Sequence, residues 1–122
     1  MTLFQRPRVL ALASLALAGI ALTTVGARNQ GQVREFNVSG RANAFAPGRI
    51  EVQKDDLVKI TFTAADIAHS FTVDSYRIAK RAGAGQTVVF EFRADQTGSF
   101  PFYCNLSQDD KCRQMKGELI VR

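Results

Sequence analysis

From residue 33 onward, apolar side chains recur at every second position. Val58, Ile60 and Phe62 alternate with Lys59, Thr61 and Thr63, and Val88, Phe90 and Phe92 alternate with Val89, Glu91 and Arg93. An extended chain sends successive side chains to opposite faces, so a period of two marks half-buried strands. Shorter runs read the same way: Val33 to Ser39, Ile50 to Val52, a strand beginning with Phe71 and Val73, Phe100 to Tyr103, and Glu118 to Val121. Turn chemistry separates them, in Gly40 to Gly48 with its Pro47-Gly48 pair, in Lys54-Asp55-Asp56, and in the RAGAGQ run from Arg81 to Gln86. No segment carries the 3.6-residue stripe of an amphipathic helix, although residues 75–82 have room for one helical turn. About seven short strands spaced by turns predict an all-β Greek-key β-sandwich over residues 34–122.

The pattern before residue 33 is different. Arg6 and Arg8 precede an unbroken apolar or small-residue run, VLALASLALAGIALTTVGA, from Val9 to Ala27. A positive start, an apolar stretch and a small-residue site at Val25-Gly26-Ala27 have the form of a secretory signal. Residues 1–27 are therefore expected to be a signal peptide, with an uncleaved N-terminal anchor helix as the alternative, and polar residues 28–33 a linker. Either way the domain is expected outside the cytoplasm, in the periplasm or an equivalent compartment, touching a membrane only through an uncleaved N-terminal segment.

Charge adds little. Arg6 and Arg8 supply two of the formal net charge of +5, and the remaining cations are scattered among acids with no basic stripe. Nucleic-acid binding, which needs cations clustered on one face, has no support. Export changes the meaning of the cysteines, because two thiols outside the cytoplasm oxidise to a disulfide unless something, such as a soft metal, holds them reduced.

Both cysteines, Cys104 and Cys112, lie with Met115 in the stretch FYCNLSQDDKCRQMKG between the last two expected strands. The only histidine of the chain, His69, stands 35 residues before Cys104 in the sequence, far enough to come from a neighbouring hairpin. Thiolate, thioether and imidazole all suit copper. Asp66, His69 and Ser70 include the residue types of a hydrolase triad, but they are too close in sequence to converge as one. No other nucleophile–base pair is evident, so an enzyme is not expected. There is neither a P-loop nor a Cys-x-x-Cys redox motif. Asn37-Val38-Ser39 and Asn105-Leu106-Ser107 fit the short glycosylation pattern, which carries little weight alone.

The stretches FAPGRIEVQKDDLVKITF, DIAHSFTV, GSFPFYC and MKGELIV together resemble the cupredoxin family across almost the whole exported region. They are nearest to the domain of cytochrome oxidase subunit II and nitrous oxide reductase and to small periplasmic cupredoxin-like proteins. In the dinuclear copper type the last loop reads Cys-x3-Cys-x3-His-x2-Met. Cys104 and Met115 match its ends and His69 matches the first histidine, but Gln108 stands where the second cysteine would be and Cys112 where the second histidine would be. The resemblance thus implies a mononuclear, sulfur-rich copper site of His69, Cys104, Cys112 and Met115, favouring Cu(I), with zinc a lesser fit. Electron transfer or copper handling follows, with a redox or copper-transfer protein as partner. The alternative is a metal-free structural or binding module stapled by a Cys104–Cys112 disulfide, which contributes roughly 2–3 kcal/mol in the chain-entropy model.

Overall fold

The structure is a computed structural model, described here for residues 31–107 and 110–122. Among the described residues nine strands follow one another: β1 (Val33–Arg41), β2 (Ala44–Ala46), β3 (Arg49–Val52), β4 (Leu57–Ala64), β5 (His69–Val73), β6 (Ile78–Ala82), β7 (Thr87–Arg93), β8 (Gly98–Tyr103) and β9 (Lys116–Val121). A single 3-10 turn (Asp74–Tyr76) links β5 to β6, and a short helix, α1 (Asp110–Gln114), lies between β8 and β9. The expected signal segment lies outside the described residues. Among those described, no helix is long and apolar enough to cross a membrane.

The strands form two sheets, ordered β2-β1-β4-β7 and β3-β9-β8-β5-β6. Two pairs are parallel, β1 with β4 and β3 with β9, and the others are antiparallel. The inner faces meet in an aromatic core. Phe71 stacks on Phe102 at 4.7 Å between ring centroids, and Phe45 meets both edge-on at 5.9 and 5.1 Å. Such tilted and edge-on contacts suit the ring quadrupoles and add to the burial of large apolar area. The expected sandwich is present, and the alternation in β4 is complete: Val58, Ile60, Phe62 and Ala64 are buried while their neighbours are half-exposed.

Two elements differ from the sequence reading. Of residues 75–82, which had room for one helical turn, the first two lie in the 3-10 turn and Ile78–Ala82 form edge strand β6; only Ile78 and Ala82 of that strand are buried, and Ala79, Lys80 and Arg81 face solvent. Its cations suit an unpaired sheet edge, which charge protects from pairing with other chains. The stretch read as a turn, Gly40 to Gly48, contains β2, whose single buried side chain is Phe45. One inward residue leaves no period to detect.

Candidate metal centre

One end of the sandwich gathers the start of β5, the end of β8, α1 and the start of β9. His69 opens β5, where all five residues are buried, and pairs with Ala82 of β6. Its side chain has no solvent exposure. His69 Nε2 lies 2.6 Å from Asp66 Oδ1, the only polar contact of the ring among the described residues. Nδ1 is buried and has no hydrogen-bond partner among the described residues. With the proton on Nε2 facing the carboxylate, Nδ1 carries a lone pair and no donor. Leaving a buried acceptor unsatisfied costs about 1–3 kcal/mol, so this nitrogen calls for an explanation.

Asp66 is itself fixed. Its Oδ2 accepts the Ala42 N–H at 2.8 Å, and Oδ1 accepts the Ile67 N–H at 2.8 Å as well as the histidine. Those two backbone N–H groups, with His69 after them, hold its carboxyl well below the usual carboxylate range. Asp66 therefore ties the turn between β1 and β2 to the loop before β5 and sets the imidazole tautomer. Sequence reading set Asp66 aside with the triad and so missed this role. The Asp-x-x-His spacing was the available signal. Gly40 completes the cradle: a Cβ there would lie 3.0 Å from His69 Cδ2, so only glycine leaves the ring its place undisturbed.

Ser70 shows where the remaining triad candidate goes. Its hydroxyl donates to Asn105 Oδ1 and accepts the Asn105 N–H, both at 2.7 Å. This reciprocal pair locks the chain after β8 to β5. The Ser70 N–H also donates to Cys104 Sγ at 3.3 Å, placing that sulfur against the peptide that follows His69.

Cys104 and Cys112 are joined as a disulfide with Cα atoms 5.1 Å apart. The Leu106 N–H reaches Cys112 Sγ at 3.2 Å. Met115, wholly buried, accepts the Cys104 N–H on its carbonyl at 3.3 Å and donates its own N–H to the Cys112 carbonyl at 3.0 Å. The structure thus brings the four side chains singled out in the sequence to one end of the sandwich, while Gln108 lies outside the described residues. Among the described residues no three His, Cys, Asp or Glu side chains are grouped to hold a metal ion. A disulfide sulfur is not a thiolate ligand. Copper is nonetheless a chemical fit to the donors present once the bond is open: an imidazole with an unpartnered, preoriented nitrogen, two sulfurs that each already accept a backbone N–H, and a buried thioether.

A Greek-key sandwich with its soft donors on the final loop and an imidazole from an earlier strand defines the class, a cupredoxin fold. The chain belongs to the cupredoxin-like domain family, whose model matches residues 12–121. Among solved structures it is similar to the periplasmic domain of cytochrome oxidase subunit II of Bradyrhizobium japonicum, with 16% identity over 72% of this chain and 83% of that one and a TM-score of 0.64. Auracyanin A, a blue copper protein of Chloroflexus aurantiacus, aligns at 16% identity over 74% of this chain and 99% of its own, with a TM-score of 0.62. The metal-binding domain of the Cu(I)-exporting P-type ATPase CopA of Streptococcus pneumoniae D39 aligns at 19% over 74% and 86%, also with a TM-score of 0.62. The chain spans only part of some larger matches, 65% of a chain in a heme-copper terminal oxidase dimer and 42% of a multicopper oxidase. No curated protein matches it at the sequence level.

Proposed function

We propose that this protein is an extracytoplasmic copper-binding cupredoxin. Its single mononuclear site forms from His69 Nδ1, Cys104, Cys112 and Met115 when the disulfide is reduced, and it serves electron transfer or copper handling. The observation that carries this reading is the buried, unpartnered Nδ1 of an imidazole whose other nitrogen a carboxylate already holds. Carboxylate-held imidazoles are a recurrent arrangement behind metal ligands. The metal, when bound, supplies a one-electron couple or is itself the cargo. Two thiolates favour Cu(I) and slow a cycle through Cu(II), which inclines the role towards holding Cu(I). The protein's own groups do the rest: Asp66 fixes the tautomer, Gly40 leaves the ring room, and the Ser70 and Leu106 N–H groups stabilise sulfur charge. Periplasmic residence and a redox or copper-transfer partner belong to the same reading, supported by the signal-like segment and by the periplasmic and Cu(I)-exporting relatives of the fold. Zinc fits the same donors less well than Cu(I).

The test is an anaerobic Cu(I) competition titration of the phosphine-reduced protein beside its oxidised form. Reduced protein is expected to bind one Cu(I) and oxidised protein none. Cys104→Ser abolishes tight binding, whereas Met115→Leu weakens it by about tenfold. Equal Cu(I) affinity in the two redox states would sink the site.

A second reading has its own observation, the disulfide itself. In it the protein is a metal-free binding module and the bond is a permanent staple. Metal content and free thiols measured together on protein isolated from its native compartment separate the two readings. Copper with two thiols supports the first, and no metal with no thiol supports the second.

A further inference from the structure

Along the chain the cations are interleaved with acids, but the fold sorts them. Arg41 follows Gly40, the residue packed against the His69 ring. Arg81 of β6 is paired with Ser70 of β5, next to the pairing of Ala82 with His69, and Lys80 precedes it. Arg113 follows Cys112 in α1, and Lys116 follows Met115 and pairs with Tyr103, the residue before Cys104. All of these cations are exposed, and none takes part in an ion pair among the described residues. The acids at that end are Asp66, already bonded to Ala42, Ile67 and His69, and Asp110 at the start of α1, with Asp109 before it in the sequence. Glu118, further along β9, accepts the Ser99 hydroxyl. Away from this end the cations are offset. Arg34 pairs with Asp56, Lys59 with Glu35, and both Arg49 and Arg122 with Glu51. Lys54 shares a recess with Asp56, and Arg77 and Arg93 share another with Asp95. Ile67, between Asp66 and His69, adds an exposed large apolar side chain to the cationic end.

We propose that this end of the sandwich is the docking surface for an acidic protein, with Ile67 as the apolar contact inside a cationic rim. The proposal rests on the copper reading, which gives a partner its reason to meet the molecule here, and it adds the partner's charge. Cations left unpaired on one side of a molecule raise a positive potential there, which speeds encounter with an acidic surface by about 10–10³-fold and fixes its orientation. Cations already paired within the chain contribute little to such a field. The same potential repels free copper ions. Metal passing to or from His69, Cys104, Cys112 and Met115 is therefore carried by a protein whose carboxylates offset the rim, and an electron partner is drawn by the same charges. A protein fits better than an anionic membrane surface. Val33 and Val89, the other exposed large apolar side chains among the described residues, lie on β1 and β7 away from this end. Ile67 alone supplies too little apolar area to enter a bilayer. Cations contributed by β1, β6, α1 and β9 surround the donors, so a flat lipid surface would cover them and exchange nothing with them.

The experiment treats the protein, in an extract of its native compartment, with a water-soluble carbodiimide, which joins a lysine amine to a carboxylate in direct contact. Mass spectrometry of the joined peptides is expected to link Lys80, Lys111 or Lys116 to an Asp- and Glu-rich segment of a metal- or haem-binding protein. The yield should fall about tenfold or more between about 0.01 M and about 1 M salt, as the screening length drops from about 30 Å to about 3 Å. Arg81→Glu combined with Arg113→Glu leaves every lysine in place and should lower the yield about tenfold. Lys54→Glu, at the other end, should leave it unchanged. Unfolding midpoints of both variants show whether they remain folded. Links through Lys54 or Lys59 alone, a joined segment without an acidic cluster, an undiminished yield in the folded double variant, or no joined protein would each overturn the proposal. Binding to vesicles of anionic phospholipid that the double variant abolishes, with no joined protein, would assign the face to a membrane instead. Cu(I) titration of the phosphine-reduced protein tests the copper reading separately, whichever way the cross-links fall.

Discussion

Each end of the sandwich holds a carboxylate that accepts two backbone N–H groups, and the two ends are completed in opposite ways. At the end where β1 and β4 begin and β3 and β9 finish, Asp56 is buried. It accepts the Gln32 N–H at 2.9 Å and the Gln53 N–H at 2.8 Å, with Arg34 Nε 3.5 Å away. Around it the backbone closes on itself: Lys54 bonds to Arg122, Ala94 to Asp56, and Leu57 to Gln32. At the other end Asp66 accepts the Ala42 and Ile67 N–H groups but gives its third contact to His69, whose second nitrogen then has no partner. The first carboxylate ends a network, while the second holds a ring whose other nitrogen has no partner among the described residues, at the end of the sandwich that also carries the disulfide. Among the described residues three buried side-chain atoms lack a hydrogen-bond partner, Asn43 Oδ1, Thr72 Oγ1 and His69 Nδ1, and only the last belongs to a ring that a neighbouring carboxylate holds in place.

The comparison breaks most visibly through Asp56. Asp56→Ala strands two backbone donors at a closed end, and a loss of about 2–4 kcal/mol in unfolding free energy is expected. Urea titration of the oxidised protein measures it. Cu(I) affinity of the reduced variant, assayed where it is still folded, should match the parent. A parallel fall in copper affinity would mean that the two ends are not separate in role.

Asp66→Asn is the mirror experiment. The amide retains an oxygen for a backbone N–H but no longer offers a carboxylate to Nε2. Loss of such a partner behind a metal-ligating imidazole typically costs 10–100-fold in metal affinity. That fall in Cu(I) affinity is expected here together with a lower unfolding midpoint, because the ionised carboxylate that accepts the Ala42 and Ile67 N–H groups is lost. Unchanged copper affinity would show that the orphaned nitrogen is not a ligand.

These contrasts also explain what could be read along the chain. The alternation in β4 and β7 was legible because each strand has one wet face and one dry face. β5 was only half legible: all five of its residues are buried, so His69 and Ser70 looked like loop residues beside Phe71 and Val73. β6 was hidden because its two buried residues, Ile78 and Ala82, stand four apart, and β2 because it buries a single side chain. In the site, His69, Cys104, Cys112 and Met115 could be placed from residue type and the family resemblance. The choice between ligands and a disulfide could not, because both demand the same proximity of two sulfurs. Asp66 escaped notice because its role depends on the Ala42 N–H, brought to it by the turn after β1. Nothing local to Asp-Ile-Ala-His reveals that partner.

Acid offers the finest division between the two ends. Burial pushes the Asp56 carboxyl up, but the Gln53 and Gln32 N–H groups and Arg34 outweigh it and leave the group below its ordinary value. Asp66 is held lower by the Ala42 and Ile67 N–H groups and then by His69. For each, the folded protein binds its proton less readily than the unfolded chain. The stabilisation is therefore fully present above the unfolded carboxylate value of about 4 and is lost as pH falls through the folded value. Urea midpoints of the oxidised protein should hold steady from neutrality to about pH 5 and decline below about pH 4. In Asp56→Asn the decline should shrink because one of the two carboxylates no longer titrates, and in Asp66→Asn it should shrink and be confined to the milder part of the range, since the more strongly depressed group is the one removed. A decline of the same depth and position in both variants as in the parent would assign acid sensitivity to other groups and remove the carboxylates from the account of either end.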